Sequence, residues 1–94
     1  MWNFYILECK DKTLYSGISL DLSARIIKHN KGQASKYTRS RRPVKLVYTE
    51  KFPDKVSALK REREVKSLKR IEKLRLIESS VPAQGKRGDT EGLE

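Results

Sequence analysis

The sequence is poor in the residues that build disulfides and metal clusters. It has one cysteine, Cys9, and one histidine, His29, in 94 residues. A single cysteine excludes an internal disulfide and a zinc site made of thiolates, and it fits a reducing, cytoplasmic setting. Cys9 lies in an apolar, strand-like run, where packing is its expected role. A single histidine excludes His-rich metal chemistry. No apolar run is long enough to span a bilayer, and the N-terminus opens on a strand-like pattern without the features of a signal or transit peptide. There is no internal repeat.

Positive charge is what the sequence has in abundance. Lys and Arg number 22 against 12 Asp and Glu, a net charge of +10. Such a surface attracts polyanions, and neutralising phosphates releases their counterions, so nucleic acid is the expected partner. An anionic membrane surface is the competing class. It is disfavoured because no stretch joins a basic face to a strongly apolar, aromatic one. No obligate protein partner is evident. The length allows one domain with a modest core.

The elements follow from pattern. Trp2 to Cys9 is aromatic and β-branched and reads as a strand. Lys10 to Thr13 reads as a turn and Leu14 to Ser19 as the returning strand. Gly17 lies inside that strand, where glycine marks a bulge or a close backbone approach. Ser19 or Asp21 caps a helix with Leu22 and Ile26 on one side, ended by Gly32. Gln33 to Pro43 is polar and reads as a loop; Val44 to Phe52 reads as a third strand. Pro53-Asp54 opens a second helix, to about Leu68, and a shorter third helix carries Ile71, Leu74 and Ile77 on one stripe. The order β-β-α-β-α-α predicts an α/β (α+β) sandwich on a small antiparallel or mixed sheet, occupying residues 1–77. Residues 78–94 hold two basic and four acidic residues and almost nothing to bury, so a disordered tail is expected there, leaving about +12 on the folded part.

Four features carry chemistry. At roughly 100° per residue, Ala58, Leu59 and Val65 fall within about 60° of Glu62, which puts a carboxylate in the middle of an apolar arc. It is either an ion-pair partner at the core's rim or a ligand for a divalent cation that keeps most of its waters. Arg25 and His29 stand four apart on the first helix and share a face. Arginine clamps phosphate and histidine moves protons near neutral pH, although such a pair also reads as two solvated residues. Tyr5 and Tyr15 belong to the hairpin. An even loop would send them to opposite faces, and an odd loop or a bulge at Gly17 to the same face. Finally, Lys31 to Arg42 holds five basic residues (Lys31, Lys36, Arg39, Arg41, Arg42), no acidic one, and Tyr37 in the middle. That composition suits gripping of backbone phosphates, with a ring available for stacking.

These residues together resemble the GIY-YIG nuclease superfamily, in particular its small stand-alone bacterial members of the UPF0213 type. The likeness runs from Trp2 to Ile77 through FYILEC, LYSGIS, DLSARIIKHN, KYTRSRRPVKLVY and FPDKVSALKREREVK, in that order. It implies a three-stranded antiparallel sheet flanked by helices and a divalent-metal-dependent phosphodiesterase. Asn3-Phe4-Tyr5 stands at the first signature triplet and Tyr15-Ser16-Gly17 at the second. By the same resemblance Tyr5, Tyr15, Arg25, His29 and Glu62 are catalytic, Glu62 is the ligand of one Mg²⁺ or Mn²⁺, and both tyrosines share one site. The first triplet keeps only its tyrosine, Ser16 replaces isoleucine, Ile18 stands where some relatives have lysine, and no asparagine follows the Glu62 helix.

The expected reaction is hydrolysis of phosphodiester bonds in DNA, or in RNA, with weak sequence specificity and strong salt dependence. Repair or recombination is the process it would serve. Glu62 would hold the metal and Arg25 offset charge at phosphorus. One of Tyr5, Tyr15 and His29 would be the general base, and the sequence does not choose among them. A non-catalytic DNA- or RNA-binding module on the same scaffold is the alternative. A ribosome-associated protein bound by charge alone is a third.

Overall fold

The computed structural model describes residues 1–79. Three strands, β1 (Trp2–Glu8), β2 (Leu14–Ser19) and β3 (Lys45–Phe52), form one antiparallel sheet in the order β2-β1-β3. Four helices surround it: α1 (Leu22–Asn30), α2 (Lys36–Arg39), α3 (Lys55–Lys66) and α4 (Arg70–Ser79). The tail expected over 78–94 lies, from residue 80 onward, outside the described residues.

β1 is central and covered on both faces. Phe4 and Ile6 join Tyr48 and Val65 in one apolar cluster, against which Leu68 and, from α4, Leu76 and Ile77 pack. Tyr5 and Leu7 point the other way, to Cys9 and Val44, with Leu22 and Ile26 of α1 alongside. Five successive buried residues, Asn3 to Leu7, are what a doubly covered strand requires. The pairing of β1 with β3 slips between Ile6 and Leu7, which face Tyr48 and Leu46. Val47 is the extra residue, and the bulge lets Val47 and Tyr48 both reach the first cluster.

The hairpin settles the register of the tyrosines. Tyr5 pairs with Gly17 and Leu7 with Tyr15, without a bulge, so Tyr5 and Tyr15 share a face. The connection 9–13 is odd. Cys9 N–H donates to Thr13 O and Lys12 N–H to Cys9 O, each at 2.9 Å, while Lys12 takes φ 70°. A tight turn followed by one left-handed residue makes such a three-residue loop. The Asp11 carboxylate accepts from Thr13 N–H and Oγ1–H and holds it.

Helix starts follow the capping rules. Asp21 Oδ1 accepts from Ala24 N–H at 3.1 Å, Ser35 Oγ from Thr38 N–H at 3.1 Å, and Asp54 Oδ1 from Ser57 N–H at 2.7 Å. Of the two candidate caps for α1, Asp21 serves; Ser19 Oγ instead donates to Asp21 O and accepts from its N–H. Gly32 takes φ +79° just after α1, as its terminator role requires.

Three expectations need correction. The segment 33–43 is not wholly loop, because Ser35 caps the single turn α2. β3 begins at Lys45 and not at Val44, whose N–H donates to Asn30 Oδ1 (2.8 Å) and whose carbonyl accepts from Asn30 Nδ2 (3.1 Å). One side-chain amide thus takes the place of a strand partner. Ile71 is 53 % exposed, since Leu68 and Leu76 fill the core contact expected of it.

α3 is fixed by a buried-edge ion pair. Arg61 grips the Glu50 carboxylate of β3 with two bonds, Nε–Oε1 at 2.9 Å and Nη2–Oε2 at 3.0 Å, and Tyr48 Oη donates to the same carboxylate. The bonds to Glu50 hold the Arg61 guanidinium charged even more firmly than usual. This fork sets the rotation of α3 and hence the direction of its neighbour Glu62.

Candidate active site

β1, β2 and α1 converge on one buried hydrogen bond. Tyr5 Oη lies 3.0 Å from His29 Nε2, and both residues are almost fully buried. Gly17 makes this possible. A Cβ there would stand 2.5 Å from Tyr5 Oη, so the ring crosses β2 only because position 17 has no side chain. The Tyr15 ring packs edge-on against the imidazole with centroids 5.2 Å apart.

The other imidazole nitrogen is held from α2. His29 Nδ1 is 2.8 Å from Thr38 Oγ1, and Thr38 is wholly buried. Thr38 Oγ1 also lies 2.9 Å from Ser35 Oγ and can donate to Ser35 O at 3.4 Å. With that proton on Ser35 O, Thr38 accepts from Nδ1–H, and Nε2 is left to accept from the Tyr5 hydroxyl. Arg25 and His29 are therefore not a pair of solvated residues: His29 is interior, with both nitrogens bonded.

Electrostatics join Arg25 and Glu62 to the same point. Burial, Tyr15 and Glu62 push the Tyr5 phenol above its usual range, while Arg25 draws it down. Burial and then the Arg25 charge depress His29, so it is neutral at pH 7. Glu62 is 18 % exposed at its side chain and its Oε2 pairs with Lys66 Nζ at 3.2 Å. On either side of it along α3, Ala58 and Val65 are buried, as the helical arc requires. Tyr5, Tyr15 and His29 thus form one contact cluster, with Arg25 and Glu62 within electrostatic reach of it.

The basic segment is more structural than its composition implies. Tyr37 stacks on Tyr15 with centroids 5.8 Å apart, and the Arg41 guanidinium covers its ring at 3.9 Å. Arg41 also binds Asp11 at 3.1 Å and Tyr37 O at 2.9 Å. Arg42 donates to Arg39 O and Asn30 O and lies over Gly32. Lys36 and Arg39 are exposed and have no ion pair among the described residues. Sequence reasoning missed Thr38, Ser35 and Asn30. The Ser-x-x-Thr spacing of a helix cap was the one available signal.

The catalytic-domain model of the GIY-YIG family matches residues 1–75. The chain belongs to the GIY-YIG family. A UPF0213 protein of Staphylococcus saprophyticus is 58 % identical over 73 residues, which is 78 % of this chain and 89 % of that protein. UPF0213 proteins of Staphylococcus aureus are 55 % identical over the same length. The solution NMR structure of a UPF0213 protein from Bacillus halodurans has a TM-score of 0.55 at 46 % identity, covering 84 % of this chain and 85 % of that one. That of a protein from E. faecalis has a TM-score of 0.59 at 32 % identity, covering 90 % and 91 %. GIY-YIG domains are generally nucleases and typically use a divalent metal, while the UPF0213 names assign no activity.

Among the described residues no three His, Cys, Asp or Glu side chains gather as a metal cage. Zinc with four protein ligands does not fit this donor set. A hard cation held by the Glu62 carboxylate, its own waters and phosphate oxygens does. No helix among the described residues is long and apolar enough to cross a membrane.

Proposed function

We propose that the chain is a divalent-metal-dependent endonuclease that hydrolyses phosphodiester bonds in nucleic acid, DNA before RNA, with weak sequence specificity. Residues 1–77 are its catalytic unit and the cytoplasm its setting, in keeping with a buried, unpaired Cys9. Repair or recombination of DNA is the process such an activity would serve. The observation that carries the reading is the Tyr5–His29 bond, with Tyr15, Arg25 and Glu62 gathered around it.

Hydrolysis needs a water stripped of a proton and a phosphate whose growing charge is offset. Tyr5 alone is a poor base, because its raised pKa keeps it protonated. Neutral His29 makes good the deficit: as Tyr5 Oη takes a proton from water, its own proton passes to Nε2. Thr38 keeps the proton on Nδ1 so that Nε2 is open to receive it. Arg25 offsets charge developing at phosphorus. Glu62 holds Mg²⁺ or Mn²⁺, which supplies Lewis-acid stabilisation of phosphate oxygens when bound. Lys36 and Arg39 attract the backbone without reading bases.

One observation favours the rival reading of a non-catalytic binding module: the Glu62–Lys66 pair gives Glu62 a structural use. A partly exposed pair four apart on a helix is worth only about 0.3–0.5 kcal/mol and yields readily to a divalent cation. The test is cleavage of labelled duplex, single-stranded and branched DNA and RNA with Mg²⁺ or Mn²⁺, comparing wild type with Glu62→Ala. Loss of about 10²-fold or more with binding retained supports the nuclease. Tight binding without cleavage by either protein puts the binding module in its place.

A further inference from the structure

We propose that a cleft beside the Tyr5–His29 cluster binds one nucleotide of a single strand, its base against Trp2 and Leu20 and its phosphate against Lys28. The proposal rests on the nucleic-acid reading above and adds a second subsite to it. The cleft, of about 280 Å³, lies where β1 begins, β2 ends and α1 passes; Trp2, Leu20, Asp21, Arg25 and Lys28 are among the residues that line it.

Its chemistry is that of a nucleotide. Leu20 is 61 % exposed and Trp2 half-buried, which gives an apolar wall and an indole open to one side. Aromatic and aliphatic surfaces of this kind hold a base by its π-face whatever its sequence. The rim is cationic. Arg25 and Lys28 line the cleft and have no ion pair among the described residues; Lys55, which is not among the lining residues, holds its Nζ over the Trp2 ring, 5.4 Å from its centre. The one acid, Asp21, is engaged at Oδ1 in capping α1. An exposed apolar patch bordered by unpaired cations next to a phosphodiesterase site is complementary to a base with its phosphate attached.

Position supports the assignment. β2 is an edge strand, and Tyr15, Gly17 and Ser19 lie on one face of it, at successive steps of about 7 Å. The Tyr15–Tyr37 stack stands at one step, the Tyr5 hydroxyl over Gly17 at the next, and the cleft beyond Ser19. Arg25 is shared by the cleft and the cluster. A strand laid along β2 with its phosphate at Tyr5 therefore brings a neighbouring unit to Trp2. A base seated there is unpaired, so the substrate class is a single strand or a duplex opened at the cut.

Trp2 is the chain's one tryptophan and reports on its own site. The experiment titrates the full chain, without metal, with a fluorescein-labelled thymidine hexamer at low salt. Anisotropy reads binding, and the emission of Trp2 is followed with an unlabelled hexamer and with inorganic phosphate. Saturable change in Trp2 emission with the hexamer and not with phosphate is expected. Leu20→Ser and Lys28→Glu, both at exposed positions, should each weaken binding by about fivefold or more. Hexamer binding with Trp2 unmoved and both variants unchanged overturns the subsite and leaves the nuclease reading standing. An equal response to phosphate reduces the cleft to an anion site and overturns the seating of the base. No binding of any nucleic acid overturns both readings.

Discussion

The two faces of the sheet are built from the same strand and differ in kind. Even-numbered residues of β1, Phe4 and Ile6, meet Tyr48 and Val65 in an apolar cluster, with the Tyr48 hydroxyl bonded to Glu50 at its edge. Odd-numbered Tyr5 faces His29, and behind it stand Thr38 and Ser35, a buried polar chain in which each group has a partner. The first face tolerates small changes of volume at a graded cost. The second fails at any missing donor or acceptor, because a buried polar group without a partner loses its full desolvation energy. Both faces carry apolar packing, but only the second adds a polar chain, and Glu62 reaches it from α3, whose Val65 belongs to the first cluster.

That contrast can be broken or sharpened by substitution. Tyr5→Phe should have the largest effect, a fall of about 10²-fold in single-turnover cleavage with the fold intact by circular dichroism. Activity within threefold of wild type would move the relay to Tyr15. Thr38→Val keeps the shape and removes the hydrogen-bond partner of His29 Nδ1, so it should destabilise by about 1–3 kcal/mol in urea unfolding. Because there is one imidazole in the chain, its ¹⁵N shifts read the tautomer directly. A tautomer unchanged in this variant would remove Thr38 from its positioning role, and Thr38→Ser should restore the wild-type signal. Ile6→Val, on the other face, should cost about 0.5–1.5 kcal/mol and leave the cleavage rate of the folded protein unaltered.

Acidity has the smallest effect. Burial lowers the His29 pKa in the folded state, so as pH falls past the ordinary histidine value the unfolded chain takes up a proton that the native one refuses. More protons on the unfolded state mean stability that falls with pH and is fully present above neutrality. The melting temperature should drop between pH 7 and pH 5 more in wild type than in His29→Asn. The acid limb of the cleavage profile should lie below the usual histidine range.

Much of the fold was legible in the sequence. All three strands and the three longer helices follow from apolar pattern and from the caps Asp21 and Asp54, because those signals are local. Glu62 stood out as a carboxylate on an apolar arc, and Gly17 as a glycine inside a strand. What remained open depended on geometry at a distance. Whether Tyr5 and Tyr15 share a face turns on one residue of loop length, decided by the left-handed Lys12. Thr38 reads as one more polar residue among cations, and only its burial beneath α1 reveals its bond to His29. The Glu50–Arg61 fork likewise joins residues with no shared local pattern.

Asn30 has a consequence for motion. Its side-chain amide bonds both the N–H and the carbonyl of Val44, and so ties the end of α1 to the start of β3. The segment 31–43 is closed at its base by this clasp and held elsewhere by side chains: the Thr38–His29 bond, the Tyr37–Tyr15 stack and the Arg41–Asp11 pair. Opening it would break local bonds such as Arg39 N–Ser35 O and Arg41 N–Thr38 O, and the link from Lys10 N to Arg41 O, but no rung between strands. Amide exchange in that segment should accordingly run as its own unit, faster than in β1, with the clasp marking where the two regimes meet.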